Sequence, residues 1–160
     1  MTETKTIQPM GPLEASIRPP GSKSITNRAL ICAALASGTS TLRHALDSDD
    51  TRVMIAALRQ LGIPVAAQKQ TERVSVDGCG GRVPASEGDL QVGNSGTTMR
   101  FLTSLLATAE GRYCLDGVPR MRQRPIRDLV HAIRQLGGTL RCTHENDCPP
   151  VEIDAHGLAG

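Results

Sequence analysis

Three stretches of this 160-residue chain combine glycines, hydroxyls and cations in a pattern suited to holding anions. The first is Pro20-Gly21-Ser22-Lys23-Ser24-Ile25-Thr26-Asn27-Arg28. A helix is predicted from about Ser24, and a helix start offers free N–H groups and a positive dipole end. Gly21 would let the backbone approach an anion closely, and Lys23 adds a formal charge. Arg28, one turn beyond Ser24, shares its helix face. The second stretch, Gly93-Asn94-Ser95-Gly96-Thr97-Thr98-Met99-Arg100, again sets glycines before a helix start, followed by hydroxyls and an arginine. The third is Arg120-Met121-Arg122-Gln123-Arg124-Pro125, with Arg127 beyond. Cations crowded before a helix N-terminus raise the energy unless an anion is near. Arginine can grip a phosphate or a carboxylate with two N–H groups at once. None of the three has P-loop spacing. Capped helices and a solvated basic loop would account for each stretch taken singly.

The elements that must carry these stretches repeat. Arg28 and Arg100 stand 72 positions apart in similar settings, and Ala57-Leu-Arg-Gln-Leu-Gly62 recurs as Ala132-Ile-Arg-Gln-Leu-Gly137, 75 positions on. Helix one is expected over Ser24 to Ala36, with Gly38 as its stop. Helix two is expected from Ser48 or Asp49, with Asp49-Asp50 as a cap, to Gly62, with Val53, Met54, Ala57, Leu58 and Leu61 inward. Helix three follows Asn94 or Ser95 as cap, with Leu102, Leu105, Leu106 and Ala109 at helical spacing. Helix four is expected to begin at Pro125, with a stripe of Ile126, Leu129, Val130, Ile133 and Leu136, and to stop at Gly137-Gly138. Short strands are expected over Leu13–Arg18, Val74–Asp77, Leu90–Val92, Tyr113–Leu115, Thr139–Cys142 and Val151–Asp154. Residues from Ala155 onward read as a connection. The result is an α/β chain built from a β-α-β-α-β-β unit used twice.

Composition narrows the partners. Eighteen Lys and Arg against 16 Asp and Glu leave a net charge of +2, too little to imply nucleic acid or an anionic membrane. One Phe, one Tyr and no Trp give bases almost nothing to stack on. The five cysteines, Cys32, Cys79, Cys114, Cys142 and Cys148, form no CxxC pair, so free thiols in a reducing cytoplasm are expected. No apolar run approaches the ~20 residues a membrane span needs. His44, His131, His144 and His156 show no metal-ligand spacing, and no Ser-His-Asp or Cys-His arrangement is inferred.

Pro20-Gly21-Ser22-Lys23-Ser24 with Asn27-Arg28-Ala29, Gly93-Asn94-Ser95-Gly96-Thr97 with Arg100, and Arg124-Pro125-Ile126 together resemble, in order and spacing, the EPSP synthase branch of the enolpyruvyl transferase family. The resemblance implies an inside-out α/β barrel fold of two domains, each of three such units. Residues 21–160 would then be two of the three units of the first domain, roughly 21–87 and 88–160. Residues 1–20 would pack with the second domain. It implies transfer of the enolpyruvyl group of phosphoenolpyruvate to the 5-hydroxyl of shikimate 3-phosphate, without cofactor or metal, in a cytoplasmic enzyme that is monomeric at full length. It places Lys23, Ser24 and Arg28 on shikimate 3-phosphate, and Lys23, Asn94, Gly96 and Arg124 on phosphoenolpyruvate. Lys23 would also serve in catalysis, while the acid–base carboxylates would fall outside residues 1–160, leaving this chain by itself inactive. A Cβ at Gly96 would intrude on the ligand and most on glyphosate, which occupies the same pocket. Phe101 departs from the Pro or small aliphatic residue common there, which leaves glyphosate sensitivity open. The sister transferase acting on UDP-N-acetylglucosamine typically has Lys-Asn in place of Lys23-Ser24 and a reactive cysteine absent from Gly117 to Gln123. RNA 3′-phosphate cyclases, built of related units, have a catalytic histidine without counterpart here. A non-catalytic two-unit anion-binding module is the remaining alternative.

Overall fold

The computed structural model of the protein describes every residue except 1–3, 7, 10, 18, 145, 159 and 160, and at position 69 the backbone alone. Ser22, extended at φ −79°, opens the first helix, α1 (Lys23–Leu35), by accepting the Ile25 N–H on its hydroxyl. Strand β1 (Ser37–Arg43) follows at once. Helix α2 (Asp49–Gln60) starts behind a capping box in which Ser48 and Thr51 each bond the other's backbone N–H. Strands β2 (Val65–Gln68) and β3 (Arg73–Cys79) complete an antiparallel sheet of order β1-β3-β2. Ser37 pairs with Cys79 and Arg43 with Arg73 at its two ends.

The second half contains β4 (Glu87–Gln91), α3 (Gly96–Ala107), β5 (Glu110–Asp116), α4 (Arg127–Gln135), β6 (Thr139–Cys142) and β7 (Val151–His156). Its sheet has the order β4-β5-β7-β6. The β4–β5 pair is parallel, bridged by α3, and the others are antiparallel. This half is the full β-α-β-α-β-β unit. Helices α1, α2 and α3 pack on one another and on the sheets. Leu30, Met54, Leu58, Leu102, Leu106 and Leu115 are fully buried in one continuous core. Aliphatic side chains do the packing that aromatic ones do elsewhere.

Several sequence expectations need correction. Leu13 to Ile17 form no strand, and Arg18 lies outside the described residues. Leu13 and Ile17 are 73% and 86% exposed, so their alternation has nothing to bury against. The first half therefore shows α-β-α-β-β, and no neighbour beside β1 corresponds to β4 beside β5 among the described residues. Strands β1 and β2 were not anticipated. Gly38 is not a helix stop but the second residue of β1, at φ +76°. Helix α4 starts two residues after Pro125, because Ile126 keeps a non-helical φ of −127°. Leu136 ends that helix 48% exposed rather than in the stripe. Ala155 is buried within β7, so the connection begins only after His156.

Candidate functional site

The N-terminal half of α1 lies against the start of α3, and the loop before α4 closes over the latter. Lys23 opens α1 and its Nζ lies 3.4 Å from Asp50 Oδ2 in the first turn of α2. Their side chains are 46% and 24% exposed, so the pair orients Lys23 and leaves it open to a further anion. The hydroxyl of Thr98 donates to the Asp50 carbonyl at 3.3 Å and lies 2.7 Å from the hydroxyl of Ser95, which caps α3. That chain of contacts runs from Lys23 to the start of α3. Ser48, not Asp49-Asp50, caps α2, and Asp50 is a member of the site that the sequence reading passed over.

Asn27, fully buried in α1, donates its side-chain amide to the Thr97 hydroxyl at 3.0 Å. Ser24 is half-buried in the first turn of α1, and Arg28 is exposed on that helix, its guanidinium 6.0 Å from the Phe101 ring centroid. Asn94 is exposed in the turn preceding α3, and Gly96 is buried as its first residue. Arg124 donates to the Asn94 carbonyl at 3.1 Å. One residue or more from each of the three stretches thus falls in one patch around the starts of α1 and α3.

The glycines stand close to neighbouring protein atoms. A Cβ on Gly21 would lie 2.6 Å from the His44 carbonyl oxygen and 3.1 Å from the Leu46 nitrogen. Its absence lets the chain before α1 pass the 44–46 loop. A Cβ on Gly96 would meet the Arg124 guanidinium, at 2.5 Å from Nη2 and 2.8 Å from Cζ. Gly117 is tighter still, since its Cβ would stand 2.3 Å from the Gly93 oxygen. Val118 N–H donates to that same oxygen at 3.1 Å, which fastens the arginine loop to the turn before α3.

The arginines divide by partner. Arg122 makes a two-point ion pair with Asp116 at the end of β5, its Nε 3.0 Å from Oδ1 and its Nη2 bonded to Oδ2. The hydrogen bonds from Arg122 hold the Asp116 carboxyl below the usual carboxylate range against its burial. Arg127 faces Asp147 at 3.7 Å. Arg100 donates to the carbonyls of Gly96 and Pro125. Among the described residues, Arg28 and Arg124 face no carboxylate within ion-pair distance. Two neighbouring helix N-termini plus Lys23, Arg28 and Arg124 make a local excess of positive potential suited to small, multiply charged anions. By contrast, in a cavity of about 780 Å³ over the second sheet four of the lining charges pair internally, Arg112 with Asp154 and Arg141 with Glu152.

A family model described as EPSP synthase (3-phosphoshikimate 1-carboxyvinyltransferase) matches residues 7–160. The chain is 46% identical over 158 residues to the chloroplastic 3-phosphoshikimate 1-carboxyvinyltransferase of Arabidopsis thaliana, covering 94% of this chain and 30% of that one. It is 49% identical over 149 residues to the Ralstonia nicotianae enzyme of the same name, covering 91% and 34%. In three dimensions it is similar to EPSP synthase from Acinetobacter baumannii, with a TM-score of 0.81 and 30% identity over 88% of this chain and 32% of that one. The fold also resembles the enolpyruvyl transferase NikO of Streptomyces tendae, with a TM-score of 0.57 and 19% identity over 85% of this chain and 28% of that one. The chain spans about a third of the length of the curated relatives it matches. With its three motif stretches gathered at one basic patch and its match running from residue 7 to residue 160, the chain belongs to the EPSP synthase family.

Proposed function

We propose that this chain contributes the first anion-holding face of an enzyme that transfers the enolpyruvyl group of phosphoenolpyruvate to the 5-hydroxyl of shikimate 3-phosphate. The observation that carries the proposal is the Asn27–Thr97 bond that ties α1 to the first turn of α3, with Lys23 at the start of one helix and Arg124 over the start of the other. In this reading Lys23, Ser24 and Arg28 hold shikimate 3-phosphate. Lys23, Asn94, Gly96 and Arg124 hold phosphoenolpyruvate, with Arg124 available to its carboxylate and Lys23 shared between the two substrates. The 5-hydroxyl gives up its proton as its oxygen bonds to C2 of phosphoenolpyruvate, and C3 takes up a proton. The C2–O bond to phosphate then breaks and a proton leaves C3, which restores the double bond and releases phosphate. Charge on that phosphate grows as the bond breaks, so a fixed ammonium at Lys23 stabilises the transition state more than the ground state.

The residues that move the protons are proposed to lie outside residues 1–160. The described part of 1–20 is proposed to pack with a second domain, as it makes no strand with β1. The product feeds chorismate and aromatic amino-acid synthesis, and glyphosate competes for the phosphoenolpyruvate position. A cytoplasmic setting suits the five free cysteines, although the Arabidopsis relative is named chloroplastic. No described helix is long and apolar enough to cross a membrane. The test is phosphate release by the full-length gene product when both substrates are present and when either is withheld. Release that requires both substrates supports the proposal. Binding of both without turnover, or turnover with UDP-N-acetylglucosamine in place of shikimate 3-phosphate, overturns it.

A further inference from the structure

Arg124 is proposed to grip the carboxylate of phosphoenolpyruvate, yet it stands on no helix or strand that would fix it. It follows a short 3-10 turn, Met121–Gln123, with its own backbone extended at φ −104° and ψ 113°. Its guanidinium leans on the Asn94 carbonyl at 3.1 Å and on the open edge of Gly96. A long side chain with so few contacts is placed only as well as the backbone beneath it. The aim of Arg124 therefore depends on how the 117–126 loop is held.

That loop is fastened on both flanks of Arg124. Before it, Val118 N–H donates to the Gly93 carbonyl at 3.1 Å, and Met121 is 1% exposed. After it, buried Ile126 donates its N–H to the Asp147 carbonyl at 2.8 Å. Two positions before it, Arg122 makes the two-point ion pair with Asp116 at the end of β5. The Asp116 side chain is only 10% exposed and that of Arg122 is 49% exposed. A pair so placed gains little stability, because taking the carboxylate out of water offsets the attraction. Its strength is geometric: two parallel N–H···O bonds fix the plane of the guanidinium, and with it the loop at residue 122. An ion pair is thus spent where the loop must be aimed rather than merely anchored, since Met121 and Ile126 already anchor it.

We infer that Asp116 and Arg122 are positioning residues, whose ion pair sets the 117–126 loop so that Arg124 meets the carboxylate of phosphoenolpyruvate. The inference rests on the substrate assignment proposed above. Both residues act through Arg124. The carboxylate is present in the ground state and the transition state alike, so the pair serves binding more than turnover. It serves one substrate more than the other, too. The α1 cations have supports of their own, Asp50 beside Lys23 and the Phe101 ring beside Arg28.

The test uses the full-length gene product, with kcat and the KM of each substrate measured while the other is saturating. Asp116→Asn and Arg122→Ala are each expected to raise KM for phosphoenolpyruvate about fivefold or more, toward the ~100-fold that a misplacement of about 1 Å can cause. The kcat and the KM for shikimate 3-phosphate should stay within about twofold of the parent values. The double variant should be no worse than the poorer single, since both cut one link. Arg122→Lys, which keeps the charge and loses the fork, should fall between the parent and Arg122→Ala. On an Arg124→Ala background, Asp116→Asn should add no more than about twofold, because the group it positions is gone. A merely structural role would lower the melting temperature and move both KM values together or neither. If Arg122→Ala fails to fold with Asp116 left unpaired, Asp116→Asn reads the same link without a buried charge. An unchanged KM for phosphoenolpyruvate in folded Asp116→Asn, or a loss that persists in full on the Arg124→Ala background, overturns the inference. Parent turnover and a raised KM in Arg124→Ala then keep the substrate assignment standing. An unchanged KM for phosphoenolpyruvate in Arg124→Ala overturns that assignment and the inference with it.

Discussion

Replacing Gly96 by alanine isolates how the site is built. The new Cβ would sit 2.5 Å from Arg124 Nη2 and 3.0 Å from Nη1, where ordinary contact begins near 3.4 Å. The guanidinium must therefore retreat by about 1 Å, a misplacement that can cost on the order of 100-fold in rate. Retreat also strains the 3.1 Å bond from Arg124 to the Asn94 carbonyl. Losing a hydrogen bond to a charged group is worth about 1.5–3 kcal/mol. We expect kcat/KM for phosphoenolpyruvate to fall about 10- to 100-fold, bounded by those two figures. Thermal stability should hold, because alanine is favoured over glycine in a helix by about 0.5–1 kcal/mol. The discriminating assay is a cycle of Gly96→Ala, Arg124→Ala and the double variant in the full-length gene product. If the methyl acts by displacing Arg124, the double variant should match Arg124→Ala within about twofold, since the displaced group is already gone. Losses that multiply would refute this reasoning and return the effect to a direct clash with the ligand.

Other predictions concern the scaffold. A Cβ on Gly78 would stand 2.1 Å from the Ala36 carbonyl oxygen and 2.5 Å from that of Ala33, both backbone, so Gly78→Ala should destabilise by at least the 1–3 kcal/mol typical of overpacking. An unchanged urea midpoint would contradict the close β3–α1 approach. Tyr113 donates its buried hydroxyl to the Ala85 carbonyl at 2.6 Å, so Tyr113→Phe should cost about 1 kcal/mol in chemical denaturation. A neutral or stabilising result would count against that bond. The Asp116 carboxyl is held below its unfolded value by Arg122, so its contribution is complete above the unfolded pKa of about 3.9. That contribution fades as pH falls through the lower folded value. Stability compared at pH 7 and pH 3 should fall less in Asp116→Asn than in the parent, and equal losses would refute the assignment.

The periodic parts of the fold were legible in the sequence. Helices α1 to α3 begin within two residues of their expected starts, because Ser22, Ser48 and Ser95 supply caps before apolar stripes. Strand β7 alternates cleanly and was read from Val151-Glu-Ile-Asp154. Strand β1 was not legible, because Ser37-Gly-Thr-Ser-Thr-Leu-Arg43 has almost no apolar alternation. It owes its existence to pairing with β3, which supplies the buried Val74 and Val76. Leu13–Arg18 failed in the opposite sense, since its pattern is strand-like but Leu13 and Ile17 find no partner surface.

For the site, residue types and spacing picked out all three stretches, and the fold brings them to one patch. The links between them were not legible. Asp50 meets Lys23, and Asn27 meets Thr97, across separations of 27 and 70 positions that only tertiary packing closes. The Asp116–Arg122 pair spans six positions and could have been suspected from charge alone. Gly21 and Gly96 also have close protein neighbours, the 44–46 loop and the Arg124 guanidinium, which a sequence does not display.

The most direct test of the proposed site is Lys23→Ala in the full-length gene product, with kcat/KM measured for both substrates. Lys23 stands at the α1 N-terminus beside Asp50 and is the one candidate proposed to touch both anions. Loss of a charge-assisted contact of about 1.5–3 kcal/mol should lower kcat/KM by roughly 10- to 150-fold, and further if the contact strengthens as phosphate departs. A folded variant with that loss for shikimate 3-phosphate and phosphoenolpyruvate alike is the predicted result. A folded variant with near-parental kcat/KM for both would contradict the placement of the two substrates at this patch.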